Sequence, residues 1–581
     1  MILDSFKKFF QYYKEERTTF YIYACISLIA GFLELIGVAL TYPFVLKIIS
    51  NDSKIMGNFS ALFIGVSIIV LFLLKNVFMI FYTYCQSLYV NKFEAKIKLD
   101  FMKFFLTAPY MESAKMPLSM KNKIFSLLIP NIMNNFIFRL LNLSVNIFIF
   151  AFIAFCLAVK FPLAALVSIL GVLLLVMVQN VFYKPLLKSV SEKISKLVLN
   201  CHQSYNELLI GFKSIKVSNN EKYFYDKFQN ATEQYYNLCS KKTFMNMVPP
   251  YITEPFIIII LFLFLSIISY QTYTSPDKLV ASFAIIVSAI FRLAPTISRL
   301  QININGIHSS IPIVKEFLEI CEKNQVYSQK SEFTSAFQKF EKTIELCNIN
   351  FEYQEQKPVL KDINLEINKG EFIGIAGLSG AGKTTLIDII TGLYTPTSGN
   401  INIDGLPADS KLKIGYIPQE FILISGTIKD NVVFGSPNAD DDKVIDALKK
   451  AQLYDFIKDN YNEGIYSSPF TDSIGFSQGQ KQRLAIARAL YSDPDILIMD
   501  EATSSLDLKT EDKICDILKE LKGDKTIIVI AHRLSTIKSA DRIIFLENGT
   551  ITGNANFDEL IKTNESFAEL VKLANVKKNS I

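Results

Sequence analysis

Apolar residues in the first half of the chain come in long, nearly uncharged runs, and six of these are long enough to cross a bilayer as helices of ~20 residues. They fall at Thr18–Leu46, interrupted by Glu34, at Phe59–Tyr84, interrupted by Lys75, and at Leu140–Val159. The remaining three are Phe161–Tyr183, Pro255–Ser275 and Leu279–Leu300, the last carrying Arg292 and Arg299. Only Lys160 separates the third from the fourth, which predicts a tight hairpin. The segments joining spans two to three and four to five keep apolar positions at helical spacing. They carry lysines such as Lys92, Lys96, Lys98, Lys193, Lys196 and Lys213, whereas the opposite loops offer Lys54, Lys160 and Lys278. Positive charge stays on the cytoplasmic side. The basic segments are therefore expected to be helices reaching into the cytosol, with turns within Pro109–Pro117 and Gly211–Asn220 and both termini inside. The opening MILDSFKKFFQYYKEERTTF is too charged and aromatic for a cleavable signal, and predicts a short amphipathic helix lying on the membrane surface.

From about Thr343 the period changes. TIELCNINFEY and INLEINKGEFIGIAG alternate or run apolar over short lengths, as strands do. GLSGAGKTT, residues 377–385, follows the second of these and precedes the apolar helix LIDIITGL, which is the strand, glycine loop, helix order of a phosphate-binding loop. Gly377, Leu378, Ser379, Gly380, Ala381 and Gly382 would turn backbone N–H groups around a β-phosphate, and Lys383 would reach the β- and γ-phosphates. The Thr384 hydroxyl would bind Mg²⁺, and Thr385 completes the motif. DPDILIMDEATSSLD, residues 493–507, is an apolar strand ending in two carboxylates. Asp500 would orient Mg²⁺ through its water, and Glu501 is placed to act as general base on the attacking water. A carboxylate pair at a strand end is by itself as often a helix cap; the phosphate loop upstream makes this pair a nucleotide site. Gln419 in GYIPQEF is a candidate sensor of Mg²⁺ and water. His532 in IIVIAHRLST ends another buried strand, where α/β ligand sites lie. ATP and Mg²⁺ are the expected cofactors.

Composition sharpens this division. With 50% hydrophobic and 20% charged residues the chain is not disordered, and its 581 residues suggest two to four domains at ~150 each. A net charge of +5, from 60 Lys+Arg against 55 Asp+Glu, is too small to argue for a nucleic-acid partner. The eight cysteines are scattered without a CxxC pair, against both a disulfide framework and a zinc site. Arginine is scarce, 8 of the 60 basic residues, so Arg292 and Arg299, seven residues apart and near one helix face, stand out. Charges within a membrane are functional by default, and with Lys75 these arginines form a candidate anion-binding patch. The alternative has Arg299 snorkelling to the cytoplasmic interface and Lys75 paired with Glu34.

The soluble half, across Thr343–Leu573, resembles the nucleotide-binding domain of ATP-binding cassette transporters. FSQGQKQRLAIARAL, residues 476–490, is similar to that family's signature and the helix after it, with Phe476 where leucine and Gln478 where glycine is usual. The resemblance implies that Ser477 and Gly479 contact the γ-phosphate, with Gln480 beside them at the nucleotide. It implies that Tyr353 stacks on adenine, where the plainer reading is a strand-edge tyrosine, and that Asp507 lies in the loop coupling two sites across a dimer. In that family the signature of one subunit closes on the phosphate loop of the other. One set of motifs and six spans per chain thus imply a homodimer with two ATP sites. The six-span layout resembles the exporter branch, and GFKSIKVSNNEKYFYDKF, residues 211–228, resembles its second coupling-helix region. Where exporters usually carry a Gly- and Glu-rich stretch before the signature, this chain has SSPFTDSIG, residues 467–475.

FRLAPTISRL, residues 291–300, together with Lys75, resembles bacterial lipid-linked oligosaccharide flippases, which move polyprenyl-diphosphate glycans. The chain departs from them in a short loop at Asn51–Asn58 and in the Pro249–Pro250 pair, where that family has a basic residue. The expected architecture is exporter-type: an α-helical six-span transmembrane domain over residues 1–325, a linker over 326–342 and an α/β P-loop nucleotide-binding domain over 343–581. The expected function is ATP-driven flipping of a lipid-linked glycan, or another amphipathic substrate, across the inner (cytoplasmic) membrane of a bacterium. The protein would be multi-pass and membrane-embedded, with its nucleotide-binding domain in the cytoplasm. An exporter of hydrophobic drugs, lipids or peptides is the alternative. A third reading, an ATP-gated regulator without pumping, is opposed by the intact Glu501 and His532.

Overall fold

The computed structural model describes residues 2–50, 60–160, 162–271, 276–323, 337–338, 340–353, 358–407, 411–419, 421–436, 439–469, 475–500, 508–530 and 534–579. The chain divides into a helical unit that ends at Glu332 and an α/β unit that begins at Phe333. In the helical unit the apolar runs become α1 (Ile2–Tyr12), α2 (Lys14–Ser50), α3 (Ala61–Thr107), α4 (Phe138–Lys160), α5 (Pro162–Ile210), α6 (Glu221–Gln271) and α7 (Pro276–Lys323). Ser60 starts α3 by accepting the Phe63 N–H at 3.2 Å. At a rise of 1.5 Å per residue, the 47 residues of α3 span about 70 Å, more than twice a hydrocarbon core of ~30 Å. The helices therefore run well past any bilayer, and the expected turns are short helices, Tyr110–Ala114 and Phe212–Val217. Along the first half of α3, Leu62, Leu73, Val77 and Ile80 are all exposed, a surface suited to lipid and unsuited to water. Among the described residues, Leu62–Thr107 and Leu118–Phe155 are long and apolar enough to cross a membrane.

Ahead of α4 the helix is not regular. Residues Ile124–Leu128 and Ile132–Ile137 form π-helical turns, in which the Ile129 N–H bonds the Ile124 carbonyl and the Phe138 N–H bonds the Met133 carbonyl. Between them sits Pro130, which has no N–H to give to an α-helical ladder.

The membrane-surface expectation for the N-terminal helix is corrected. α1 forms, but Phe9 and Phe10 are 0% and 1% exposed, buried among Phe93 of α3 and Phe317 of α7. Phe9 lies 5.9 Å from Phe93 and 6.2 Å from Phe317, ring centre to ring centre. Aromatic rings bury the most area per side chain, and α3 and α7 supply a close-packed aromatic surface to receive them. The amphipathic face meets protein, not lipid.

The α/β unit is built from β1 (Thr343–Glu352), β2 (Pro358–Asn368), β3 (Phe372–Gly377), α8 (Lys383–Ile390), β4 (Ser398–Ile403), β5 (Leu406–Pro407) and β6 (Ile414–Ile417). They are followed by α9 (Gln478–Tyr491), β7 (Ile496–Asp500), β8 (Thr526–Ile530), β9 (Arg542–Glu547) and β10 (Thr550–Ala555). An antiparallel sheet has the order β2-β1-β4-β5, and a six-stranded sheet the order β10-β9-β3-β8-β7-β6. In the latter every neighbouring pair is parallel except β9 with β10. β7 and β8 are buried at every position, the continuous apolar run of a sheet covered on both faces. Because they are parallel and in register, with Ile530 opposite both Ile375 and Asp500, the carboxyl ends of β3, β8 and β7 share one edge. β6 ends there too, with Ile417 opposite Met499. In such a sheet this edge is where ligands bind.

Candidate nucleotide site

The glycine loop leaves β3 at this edge and enters α8. Gly380 and Gly382 have φ of +80° and +100°, values that favour glycine. At Gly377 a Cβ would come within 2.4 Å of the Leu546 carbonyl oxygen, so the loop passes flush against β9. Lys383, 6% exposed, folds back over the loop and donates to the Gly377 and Leu378 carbonyls, each at 3.0 Å. This hollow, with the N-terminus of α8 opening into it and an ammonium on its rim, fits a phosphate chain. Ser379 and Thr384 are exposed and Ala381 and Thr385 buried. Thr385 is also the tether of the predicted adenine residue, since its hydroxyl and that of Tyr353 lie 2.9 Å apart. Tyr353 stands edge-on to Phe351 and Tyr394, which holds its half-exposed ring beside the loop.

Asp500, at the end of β7, is 8% exposed and accepts the Tyr416 hydroxyl of β6 at 3.0 Å. Burial, together with the Asp500 charge, pushes the Tyr416 phenol well up. A second carboxylate, Asp388 of α8, faces the same place, and burial followed by the Asp500 charge pushes it up to about 6. Two carboxylates crowding one another here suit a divalent cation. Gln419 is exposed, just past the end of β6. A raised carboxylate is a stability debt only when ionised. Between pH 3.8 and about 6 the folded protein keeps a proton that the unfolded chain releases, and above about 6 the penalty is complete. Asp388→Asn should therefore raise thermal stability at pH 7.5, by roughly 1–2 kcal/mol after solvent screening, with the gain shrinking towards pH 5. Thermal unfolding of the purified protein at both pH values checks this.

The signature segment enters α9 through a capping box. The Ser477 hydroxyl accepts the Gln480 N–H at 3.4 Å, and the Gln480 side chain accepts the Ser477 N–H at 2.7 Å. Ser477 is thus an exposed N-cap, with Gln478, Gly479 and Gln480 in the first turn. Phe476 is buried against Phe456 and Tyr461, which accounts for an aromatic at this position. Near the other end of α9, Arg488 lies between the rings of Phe421 and Phe434, at 4.1 and 4.2 Å, and donates to the carbonyls of Ile422 and Asn431. Burial pushes its guanidinium down to about 10. Arg488 ties the chain just after Gln419 to the signature helix.

Glu501, Asp507 and His532 lie outside the described residues. Asp500 is the last residue of β7 and Ile530 the last of β8, so in sequence Glu501 is one residue and His532 two residues past a strand end. Sequence reasoning missed Asp388, Tyr416 and Arg488. The lone carboxylate inside the apolar LIDIITGL was a signal for the first. In the helical unit Lys75 is half-buried on α3 and Arg299 exposed on α7. The side chains of Glu34 and Arg292 lie outside the described residues.

Residues 360–504 match the family described as ABC transporter. Among curated proteins, the chain is 42% identical over 240 residues to candidate multidrug export ATP-binding/permease proteins of Staphylococcus aureus, strains bovine RF122 / ET3-1 and NCTC 8325 / PS 47. The alignment covers 40% of this chain and 41% of each relative, so the match spans about two fifths of the relatives' length. Among solved structures, a bacterial Atm1-family ABC exporter with ATP bound superposes with a TM-score of 0.76 over 96% of this chain and 98% of that one, at 20% identity. The chain has the ABC exporter fold: a helical membrane region followed by an α/β nucleotide-binding domain.

Proposed function

We propose that the chain is one half of an ATP-driven exporter that works as a homodimer in a bacterial cytoplasmic membrane. The observation that carries this reading is the meeting of the glycine loop, Asp500 and Gln419 at one edge of the parallel sheet, in a chain whose other unit is a bundle of membrane-length helices. Backbone N–H groups of Gly380–Gly382 and the Lys383 ammonium hold the phosphates, and Tyr353 receives the adenine. Glu501 accepts the proton of a water whose oxygen forms a bond to the γ-phosphorus. The bond to the β–γ bridging oxygen breaks, giving ADP and phosphate. Thr384, Asp500 and Gln419 would hold Mg²⁺, which supplies neutralisation of the phosphate charge. Ser477 and Gly479 of the second subunit, at the start of α9, would close on the γ-phosphate.

The substrate is a polyprenyl-diphosphate-linked oligosaccharide, gripped through its anionic headgroup by Lys75, Arg292 and Arg299. Arginine suits this task, because its planar fork meets phosphate oxygens in pairs. Replacing Arg292 and Arg299 together by Gln should abolish flipping of a labelled polyprenyl-diphosphate glycan in proteoliposomes, and replacing both by Lys should leave part of it. A double Gln variant flipping at the wild-type rate would show these arginines to be structural. The names of the Staphylococcus relatives favour a second reading, export of hydrophobic drugs. It expects the same double Gln variant to go on transporting apolar dyes.

A further inference from the structure

We propose that Arg139 and Lys242 form an anion-binding site inside the helical unit for the phosphate or diphosphate headgroup of an amphiphile, an assignment that rests on the export reading above. Arg139 lies at the start of α4 and Lys242 on α6, ahead of the span that begins at Pro255. α7 packs against both helices. The Arg139 side chain crosses α7 at Gly306, where a Cβ would come within 2.2 Å of its Cδ, so a larger residue there would displace the guanidinium. Its Nη1 donates to the Ile302 carbonyl at 3.0 Å and its Nε to the Asn135 side-chain oxygen at 3.3 Å. Asn135 is held in turn by Asn131, at 2.9 Å. Every one of these partners is neutral. The fork is positioned, and among the described residues no carboxylate compensates its charge.

Lys242 is half-buried, and among the described residues no carboxylate pairs with either cation. Burial, with the positive charge of Arg139 as a lesser cause, holds the Lys242 ammonium below the usual lysine range. Two half-buried cations on helices that pack against the same α7 are unfavourable for the protein alone, since charge drawn away from water needs a counter-charge. An incoming anion answers both at once. A separate observation points the same way. Asn305, three residues after Ile302 on α7 and 6% exposed, buries a side-chain N–H group with no acceptor among the described residues. Asn246, one turn beyond Lys242, buries an amide oxygen with no donor among the described residues, which a ligand hydroxyl would satisfy. These groups match a headgroup of phosphate oxygens next to hydroxyls, as on a phosphorylated sugar lipid.

The test measures binding of radiolabelled farnesyl diphosphate to the full-length protein in nanodiscs, with ADP filling the nucleotide site, against farnesol and inorganic pyrophosphate. Lys242→Gln should weaken farnesyl diphosphate binding about tenfold, the worth of one charge-assisted hydrogen bond, with farnesol binding unchanged. Arg139→Lys should recover part of what Arg139→Gln loses, because charge remains and the fork does not. Among the described residues Lys242 makes no hydrogen bond or ion pair, so its variant remains informative if Arg139 variants fail to fold. Wild-type affinity in Lys242→Gln, or an equal loss of farnesol binding, would overturn the site. Displacement by pyrophosphate as readily as by farnesyl diphosphate would overturn the lipid headgroup in favour of free phosphate. ATPase activity of the wild type, measured on the same preparation, reads the export proposal separately. Its absence would remove that proposal while leaving the binding result to stand or fall by itself.

Discussion

Glu501→Gln protein should bind ATP and hydrolyse it ~10²–10⁴-fold more slowly than the wild type, the usual worth of a positioned general base. The substitution keeps the size of the side chain, turns one accepting oxygen into a donating NH2 group, and removes the charge and the capacity to take a proton. Its neighbour Asp500 is 8% exposed at the end of β7 and accepts the Tyr416 hydroxyl, and under the proposed reading the next residue in sequence is the general base. Release of phosphate from purified dimers, read beside retention of labelled nucleotide, separates loss of chemistry from loss of binding. The variant should accumulate as an ATP-loaded closed dimer. Turnover near the wild-type rate would move the base to another residue.

The second large effect is on stability. Lys123 is 1% exposed, and its ammonium is paired with Glu316 of α7. The other carboxylate oxygen of Glu316 accepts the Ser195 hydroxyl of α5 at 2.8 Å. One acid thus joins three helical segments. Glu316→Ala would leave the ammonium buried and unpaired, and breaking a buried pair from one side costs about 3–5 kcal/mol. The protein should lose its thermal transition at a correspondingly lower temperature and express poorly. Replacing both partners, as Lys123→Met with Glu316→Leu, removes the stranded charge along with the attraction and should restore most of the loss. Thermal midpoints of the single and double variants in the same detergent decide it. A single variant as stable as the wild type would mean that water reaches Lys123.

The long helices and the strand, loop, helix order of the phosphate site were legible because each is fixed by local pattern: an unbroken apolar run, or glycines at a set spacing before a helix. What α1 packs against was not, since an amphipathic face says only that it must be covered. Lipid and the aromatic rings of Phe93 and Phe317 satisfy the same pattern. Asp388 and Tyr416 gain their meaning from Asp500, which reaches them only through the pairing of the parallel strands and the packing of α8. Arg139 was hidden for a similar reason. It stands one residue outside the third apolar run, and its partner Ile302 is 163 residues away. The clamp that Arg488 makes on the segment after Gln419 was not legible either, because two rings and two carbonyls from a different stretch define it.

The two π turns flanking Pro130 have a consequence for how this chain can change length. A π turn closes on the fifth residue back instead of the fourth, so each accommodates one residue more than the α-helix on either side requires. Removing a residue from a straight α-helix rotates everything beyond it by about 100° and turns its buried face outward. Removing one from within 124–137 lets the ring contract, and the flanking faces keep their phase. Single-residue gaps are therefore tolerable here and ruinous a few turns away. Relatives aligned across the helical unit should differ in length at this stretch before they differ in length within α4.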